Sequence, residues 1–347
     1  MVTPTTRRSA RPGPAAGARR PSQPASRRSR SAPIPATRSN PSSFASLATI
    51  RTTRGLTSRA GVMPLNTFND AVGPMAKTVG ELALALDLVT GVDAEDPVTA
   101  DADAHISGSF ADGLEAATLA GRRFGAFRQR FVGITGEREA ADAMEGVIRD
   151  LRAAGATVVD VAIPDYDAEY DRARGSAPGS LLAGWTAYLS RGAAPGERVL
   201  TVADLIASGG MAPGGQRRLE DASRPTPAGP ALDAATERFY AARTRFRQLF
   251  VDLMDRERLD AILYPANQAR PHTHDGGAER YGTEPGTCHE SAATGLPQVT
   301  VPAGFMGGRY PVGVSFLGRM WTDKAILGLA AAYERATHHR RPPATAP

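Results

Sequence analysis

Two long stretches of the chain repeat an apolar residue every three or four positions, which is the spacing of an amphipathic helix. The first covers residues 78–91 (TVGELALALDLVTG), where Thr78 can cap the start of a helix and Gly91 can end it. The second covers residues 232–254 and predicts a longer helix. Its apolar face carries Leu232, Ala235, Phe239, Phe246, Leu249, Phe250 and Leu253.

Short apolar runs elsewhere in the chain predict strands. Residues 123–128 and 157–163 (TVVDVAI) have strand patterns, and a helical pattern over residues 137–153 separates them. This order is typical of a β-α-β unit in a parallel or mixed sheet. The second half of the chain adds predicted strands at 260–264, 298–302 and 312–317 and a helix at 322–336. We therefore expect an α/β fold with a mixed β-sheet core covered by helices.

The middle of the chain has a weaker pattern. Residues 172–230 are rich in Gly, Pro and Ala. We expect helices and loops there, lying over one face of the sheet. The acidic residues Asp93, Glu95 and Asp96 follow the first helix, and we expect them to form a solvated turn.

The composition fits a globular protein, with 41% hydrophobic and 22% charged residues. No stretch reaches the roughly 18 consecutive apolar residues of a membrane helix. The single cysteine, Cys288, excludes a disulfide within the chain and a Cys-rich zinc site. We expect a cytoplasmic protein.

Residues 1–39 differ sharply in composition from the remainder. They consist almost wholly of Arg, Ser, Pro, Ala, Thr and Gly, and they contain no aromatic residue. Such a segment cannot bury enough apolar surface to offset the entropy lost on ordering, so we expect a disordered N-terminal leader. It lacks the apolar region of a secretion signal. We therefore divide the chain into a leader (1–39), a globular domain (40–340) and a disordered tail (341–347).

The leader accounts for the positive charge of the protein. The whole chain has a formal net charge of +5, which is typical of proteins that bind nucleic acid. However, residues 1–38 contain nine arginines and no acidic residue, so the remainder has 32 basic and 36 acidic residues, a net charge of −4. The globular domain is therefore mildly acidic, and we expect no nucleic-acid contact from it.

Three stretches of the globular domain contain recognisable motifs. They are residues 41–97 (beginning PSSFASLATIRTTRGLTSRAG and including DAVGPMAKTV), residues 259–265 (LDAILYP) and residues 293–337 (beginning ATGLPQVTVPAGF). In content and order they resemble the motifs of the amidase signature family. The resemblance covers about residues 40–340 and implies that family's fold, truncated on its N-terminal side. It also implies hydrolysis of a carboxamide or amide C–N bond in a small-molecule substrate, with no metal or organic cofactor.

The resemblance also implies a catalytic set that the chain does not contain. The family uses a serine nucleophile, a second, bridging serine and a buried lysine as base, because a serine hydroxyl is nearly inert until a neighbouring base removes its proton. The family nucleophile lies four residues before the proline that is Pro41 in this chain, and Thr37 occupies that position. The two lysines, Lys77 and Lys324, both follow it. We therefore expect no intact catalytic residue, with Thr37 at the aligned nucleophile position.

A change of reading frame accounts for the missing motif. When each codon is formed from the last base of one codon and the first two bases of the next, residues 31–39 (SAPIPATRS) can be read as G-T-D-T-G-N-S-I, the nucleophile motif of the family. Residues 13–26 can likewise be read as a Gly- and Ser-rich segment of the kind that precedes it. We therefore interpret the leader as an out-of-frame translation of the catalytic segment, with the frame restored near Asn40.

Other candidate chemistry is less specific. Residues 272–275 (HTHD) could offer ligands to a metal, but we expect a solvated loop there and no metal site. Cys288 next to His289 suggests a thiol nucleophile, yet adjacent side chains rarely face each other. The family resemblance places Asp70 near the nucleophile loop. It therefore implies that Asp70 supports the catalytic residues through a hydrogen bond. The alternative is that Asp70 only caps its own loop.

Three functions remain open on the sequence. The chain is an amidase-family member that is inactive as written, or it is an active hydrolase that uses a substitute nucleophile such as Thr37 or Cys288. The third is a non-catalytic binding protein whose basic leader contacts nucleic acid. The motifs favour the first.

Overall fold

The computed structural model describes residues 33–34, 40–132, 138–192, 198–211, 213–226, 228–270 and 289–342. The chain divides into two units, Met1–Arg30 and Ser31–Pro347, and every described residue belongs to the second.

A mixed sheet of seven strands forms the centre of the described part of the chain. From one edge to the other, the strands are β4 (Met75–Ala76), β2 (Ala48–Arg51), β8 (Gln298–Met306), β9 (Tyr310–Leu317), β7 (Ala261–Pro265), β5 (Arg123–Phe127) and β6 (Thr157–Val161). Strand β5 is parallel to both β6 and β7, and the other pairs are antiparallel. Two further short strands, β1 (Pro33–Ile34) and β3 (Ala71–Val72), pair with each other. The predicted α/β fold with a mixed sheet is confirmed.

Ten α-helices are found among the described residues. They are α1 (Asn40–Phe44), α2 (Val79–Asp87), α3 (Glu139–Ala153), α4 (Tyr166–Ala173), α5 (Ser180–Gly192), α6 (Val202–Ser208), α7 (Pro213–Ala222), α8 (Pro230–Arg256), α9 (His289–Thr294) and α10 (Asp323–Thr337). Single 3₁₀ turns occur at Pro97–Thr99, Ala102–His105 and Arg128–Arg130.

Both faces of the sheet are covered by apolar cores. Helices α2, α3 and α10 pack on one face through a cluster that includes Leu82, Met144, Ala330, Phe124 and Val299. Helices α4, α8 and α9 pack on the other face through a cluster that includes Tyr166, Phe246, Phe250, Ala293 and Ile262. Each fully buried Leu or Phe side chain contributes about 2 kcal/mol to such a core.

The predicted β-α-β unit is present as β5, α3 and β6. Its strands are directly paired, from Arg123 opposite Thr157 to Phe127 opposite Val161. The strand predicted at 298–302 extends to Met306, because β8 and β9 form one hairpin that continues past a register shift between Pro302 and Gly304.

Helix α2 begins where the sequence predicts and ends earlier. The Oγ1 of Thr78 accepts a hydrogen bond from the backbone N–H of Glu81 at 3.2 Å, so Thr78 is the N-cap. The helix ends at Asp87 rather than near Gly91. The chain leaves it because Thr90 forms a bridge with Thr57. Gly91 then takes a φ of +127°, which favours glycine.

The apolar face predicted for the long helix is buried only in its second half. In α8, Phe246, Phe250, Leu253 and Met254 are buried against the sheet core. The other residues of the predicted face, Leu232, Ala235, Phe239 and Leu249, are half-buried.

The middle of the chain folds into helices and loops, as predicted. Helices α5, α6 and α7 pack on one another through a separate small cluster of Leu181, Trp185, Val202 and Leu219. Helix α5 also lies close against the loop before β3, since a Cβ at Gly184 would come within 2.9 Å of Thr67 Cγ2.

A buried carboxylate joins the last helix to the segment after β2. Asp323, at the first position of α10, is 2% exposed. Its Oδ1 accepts from the Thr53 backbone N–H at 2.8 Å, and its Oδ2 accepts from Thr53 Oγ1 at 2.6 Å. Burial raises the pKa of Asp323 to about 6, although the bonds from Thr53 act to lower it.

We expect Asp323→Asn to change how stability depends on pH. The folded-state pKa of Asp323, about 6, is above its ordinary value of 3.8, so its stabilising contribution is complete below pH 4 and is lost as the pH rises through 6. Asparagine keeps an acceptor for the Thr53 N–H and carries no charge. Between pH 4 and pH 7 the parent should lose roughly 3 kcal/mol of unfolding free energy relative to the variant. Urea unfolding at several pH values measures this, and a difference independent of pH would contradict it.

Candidate substrate site

A closed loop, residues 65–70, lies immediately before β3. The Oδ2 of Asp70 accepts hydrogen bonds from the backbone N–H groups of Leu65 (2.8 Å) and Asn66 (2.9 Å). The Oδ1 of Asn66 accepts from the N–H groups of Phe68 and Asn69, both at 3.0 Å. Two side chains within the loop therefore satisfy four of its backbone donors, which fixes its conformation.

Three arginines hold the same loop from outside. The Nη1 of Arg243, on α8, donates to Asn69 Oδ1 at 2.6 Å. Arg51 donates to the carbonyl oxygen of Asn69, and Arg59 donates to that of Thr67. The Arg243 side chain is 1% exposed, and burial lowers its pKa to about 10, so it remains charged at neutral pH. Sequence patterns missed Arg243, because a charged residue within a helix is normally expected to face solvent.

Asp70, the one supporting residue that the sequence singled out, is buried within this loop. Burial raises its pKa, although the backbone N–H groups of Asn66 and Leu65 and the charge of Arg51 act in the other direction. The next residue, Ala71, pairs with Ile34, which precedes the Thr37 position by three residues. The geometry gives Asp70 a loop-capping role, and its role behind a nucleophile stays a prediction.

A cavity of about 370 Å³ opens beside the loop. Its wall combines loop residues, the segment between α4 and α5, and α9; the lining residues are Leu65, Asn66, Asn69, Tyr170, Arg174, Gly175, Ser176, Leu181, Arg218, His289, Ala292 and Ala293. The loop and the segment between α4 and α5 are joined directly by hydrogen bonds. Asn66 Nδ2 donates to the Gly175 carbonyl oxygen (2.6 Å) and to Ser176 Oγ (2.7 Å). Arg243 Nη2 also donates to the Gly175 carbonyl oxygen, at 2.7 Å. The cavity is thus built on the loop that contains Asp70.

The histidine in this cavity is uncharged at neutral pH. The His289 ring stacks on Tyr170 with centroids 5.1 Å apart and an interplanar angle of 16°. Burial lowers the pKa of His289, while the nearby charge of Glu290 acts to raise it. The ring can therefore donate or accept a hydrogen bond without contributing a charge.

A buried ionic cluster anchors α9, the helix that presents His289. Glu290 is fully buried, and its Oε1 lies 2.8 Å from the Nε of Arg130. Tyr166 Oη donates to the same oxygen at 2.5 Å. Burial and the neighbouring carboxylate raise the pKa of Tyr166 well above 10, so the phenol stays protonated and keeps donating. No local sequence pattern indicates this cluster, because its members are 36 and 124 residues apart.

The acidic turn after α2 is solvated at Glu95, as predicted, but not at Asp96, for which the prediction is wrong. Asp96 is 5% exposed and forms a two-bond ion pair with Arg59, at 2.7 Å to Nη2 and 2.8 Å to Nε. Burial alone would raise the pKa of Asp96, but the hydrogen bonds from Arg59 outweigh burial and lower it. This ion pair positions Arg59 for its hydrogen bond to the loop. Arg59 and Asp96, together with Asp70, Tyr188 and other residues, also line a small cavity of about 160 Å³.

The two lysines of the chain lie away from the cavity beside the loop. Lys77 is exposed, next to β4. Lys324 donates to the Ser107 carbonyl oxygen at 2.8 Å and lies 3.8 Å from Asp112. Neither lines the cavity beside the loop.

Several residues that the sequence suggests as nucleophiles or metal ligands lie outside the described residues. These are Thr37, the HTHD segment at 272–275 and Cys288. Within the described ranges, no group of three or more His, Cys, Asp or Glu side chains could hold a metal ion. No helix in those ranges is both long enough and apolar enough to cross a membrane.

Comparison with known proteins gives consistent results. The family model described as Amidase matches residues 39–327. A glutamyl-tRNA(Gln) amidotransferase subunit of Deinococcus deserti is 29% identical over 308 residues, which cover 85% of this chain and 60% of the relative. A probable amidase of Arabidopsis thaliana is 27% identical over 314 residues, covering 88% of this chain and 56% of the relative.

Among solved structures, the native peptide amidase from Stenotrophomonas maltophilia matches with a TM-score of 0.68 and 28% identity, over 87% of this chain and 61% of the other. The peptide amidase PAM in complex with the competitive inhibitor chymostatin gives a TM-score of 0.70, also at 28% identity and with the same coverage. The chain thus spans about 60% of the length of the relatives that it matches.

We expect Asp70→Ala to destabilise the protein by about 2 kcal/mol, because two backbone N–H groups lose their acceptor. Asp70→Asn keeps one acceptor oxygen and should lose less. Asp167→Ala, which removes an exposed carboxylate from α4, is the matched control and should stay within about 0.5 kcal/mol of the parent. Urea unfolding at pH 7 compares the variants, and equal stabilities of Asp70→Ala and the control would refute the capping role.

Proposed function

The chain belongs to the amidase family, and we propose that its globular domain, residues 40–340, is an amide-binding domain descended from a hydrolase of amide C–N bonds. The family match over residues 39–327 carries the proposal. The cavity beside the loop supports it, because Asn69, Ser176 and His289 line it with polar groups of the kind that a carboxamide needs, whereas the amide of Asn66 is already bonded within the protein. We propose a small-molecule amide as the ligand.

We further propose that the chain as written does not carry the Ser-Ser-Lys chemistry implied by the family resemblance. Thr37 stands at the aligned nucleophile position, and the only two lysines are Lys77 and Lys324. A hydroxyl nucleophile needs a base within hydrogen-bonding reach. The exposure of Lys77 and the contacts of Lys324 with Ser107 and Asp112 support this proposal, because both place the ammonium groups elsewhere.

An active hydrolase with a substitute nucleophile is the second candidate function. One observation favours it: Cys288 directly precedes His289, whose ring lines the cavity. A thiol next to a neutral imidazole is the pairing used by cysteine hydrolases.

Turnover assays separate the two candidates. We expect the purified chain to release no ammonia from hexanamide, benzamide or an amidated dipeptide above the buffer rate, because no positioned base activates a nucleophile. Thr37→Ala and Cys288→Ala are assayed in parallel. Turnover by the parent that falls about tenfold or more in either variant would establish the substitute-nucleophile candidate instead.

The origin of residues 1–39 can be tested at the level of DNA. Resequencing the DNA that encodes residues 1–45, together with the bases upstream, should show a frame slip near Asn40 and an upstream frame that encodes a lysine and a glycine-rich loop. If the DNA encodes the Arg-rich leader in the same frame as the globular domain, without such an upstream sequence, the out-of-frame interpretation is overturned.

A further inference from the structure

A second cavity shares part of its lining with the cavity beside the loop. The second cavity, of about 520 Å³, lies among α5, α7 and the segment that precedes α5. Ser176, Leu181 and Arg218 line both cavities. The two therefore form one cleft, with Arg218 at the junction.

The cleft has a positive charge that nearby carboxylates leave uncompensated. Among the described residues, no Asp or Glu lines the first cavity, whereas Arg174 and Arg218 do. Arg174 is paired with Asp171 at 2.9 Å. Arg218 forms no ion pair or hydrogen bond with any residue in the described part of the chain. This positive junction contrasts with the net charge of −4 on the rest of the chain beyond residue 38.

The two carboxylates nearest in sequence are already engaged. Glu220 accepts a hydrogen bond from Gln216 Nε2 at 2.8 Å and lines neither cavity. Asp221 lines the second cavity only, and its Oδ1 lies 2.9 Å from Arg224. Arg217 also lines the second cavity and, like Arg218, makes no ion pair with a described residue. The sum of charges along the cleft is therefore positive.

The inner end of the cleft has a different character. The polar groups there that can still meet a ligand are the side-chain amide of Asn69 and the uncharged ring of His289. Ala292 and Ala293 form an apolar wall of the first cavity. The first cavity therefore combines neutral polar groups, an apolar wall and, where it meets the second cavity, the unpaired guanidinium of Arg218.

We propose that the cleft binds amides that carry a carboxylate at the end remote from the carboxamide, with Arg218 as the residue that selects them. This rests on the proposed function, because the carboxamide is assigned to the end of the cleft lined by Asn69 and His289. A guanidinium offers two parallel N–H donors that match the two oxygens of a carboxylate. Methylene groups between the two ends of the ligand would contact the alanine wall.

Four six-carbon probes test this by calorimetric or NMR titration of the full chain. They are adipamate (a carboxamide and a carboxylate), hexanamide (no charge), hexanoate (no carboxamide) and a hexanamide with a terminal ammonium group. We expect adipamate to bind about tenfold more tightly than hexanamide, and the ammonium compound to bind most weakly.

Substitutions of Arg218, an exposed residue on α7, test whether this side chain causes the preference for adipamate. Arg218→Gln should abolish the preference for adipamate, and Arg218→Glu should reverse it in favour of the ammonium compound. Arg238→Gln is the matched control, because it removes the same charge from an exposed position on α8 that lines neither cavity.

The outcomes distinguish this inference from the function on which it rests. Binding of hexanamide without any preference for adipamate would overturn the role of Arg218 and leave amide binding standing. Equal loss of the preference in Arg218→Gln and Arg238→Gln would also overturn it, since the effect would then come from total charge. Equal binding of hexanoate and adipamate, with none of hexanamide, would support the carboxylate subsite and reject the amide end. Absence of binding by all four probes would reject both.

Discussion

The loop at residues 65–70 imposes the constraint on which the rest of the site depends. It is neither helix nor strand, so its backbone N–H groups find no partners in regular secondary structure, and leaving them unpaired when buried would cost about 1–3 kcal/mol each. Asp70 and Asn66 supply the missing acceptors from within the loop. Arg243 must then be buried to reach Asn69, which accounts for a nearly inaccessible guanidinium in an otherwise apolar helix face.

The same hydrogen bonds make the loop a junction between distant parts of the chain. Arg243 links it to α8, and Asn66 links it to the segment at Gly175 and Ser176. The strand that follows the loop pairs with Pro33–Ile34. Movement of the loop would therefore disturb the cavity wall and this strand pair together. Rigid support of this kind is what a binding cavity needs if its polar groups are to keep a fixed arrangement.

The sequence predicted the regular elements well because their signals are local. Helix α2 with its Thr78 cap, the β5-α3-β6 unit and the strands of the hairpin all follow from periods that a short window contains. The site was predicted much less completely. Asp70 was identified through a family motif, whereas Arg243 and Asp96 were not recognised as buried. The side-chain amide that accepts from Arg243 lies 174 residues away, and the arginine that pairs with Asp96 lies 37 residues away. Burial of a charge depends on such long-range pairing, and no local pattern reports it.

The cleft and the catalytic positions that the family resemblance implies occupy separate stretches of this chain. Every residue that lines the cavity beside the loop lies at or after Leu65, and the apolar cores on the two faces of the sheet begin at Ala48. The chemistry implied by the family resemblance lies before Pro41. A change confined to the first forty residues would therefore alter the nucleophile position and the strand that pairs with β3, and it would leave every residue that lines the cavity in the chain. Because interactions that bind the substrate and the transition state equally do not by themselves accelerate a reaction, such a cleft can keep its affinity for an amide when hydrolysis is lost.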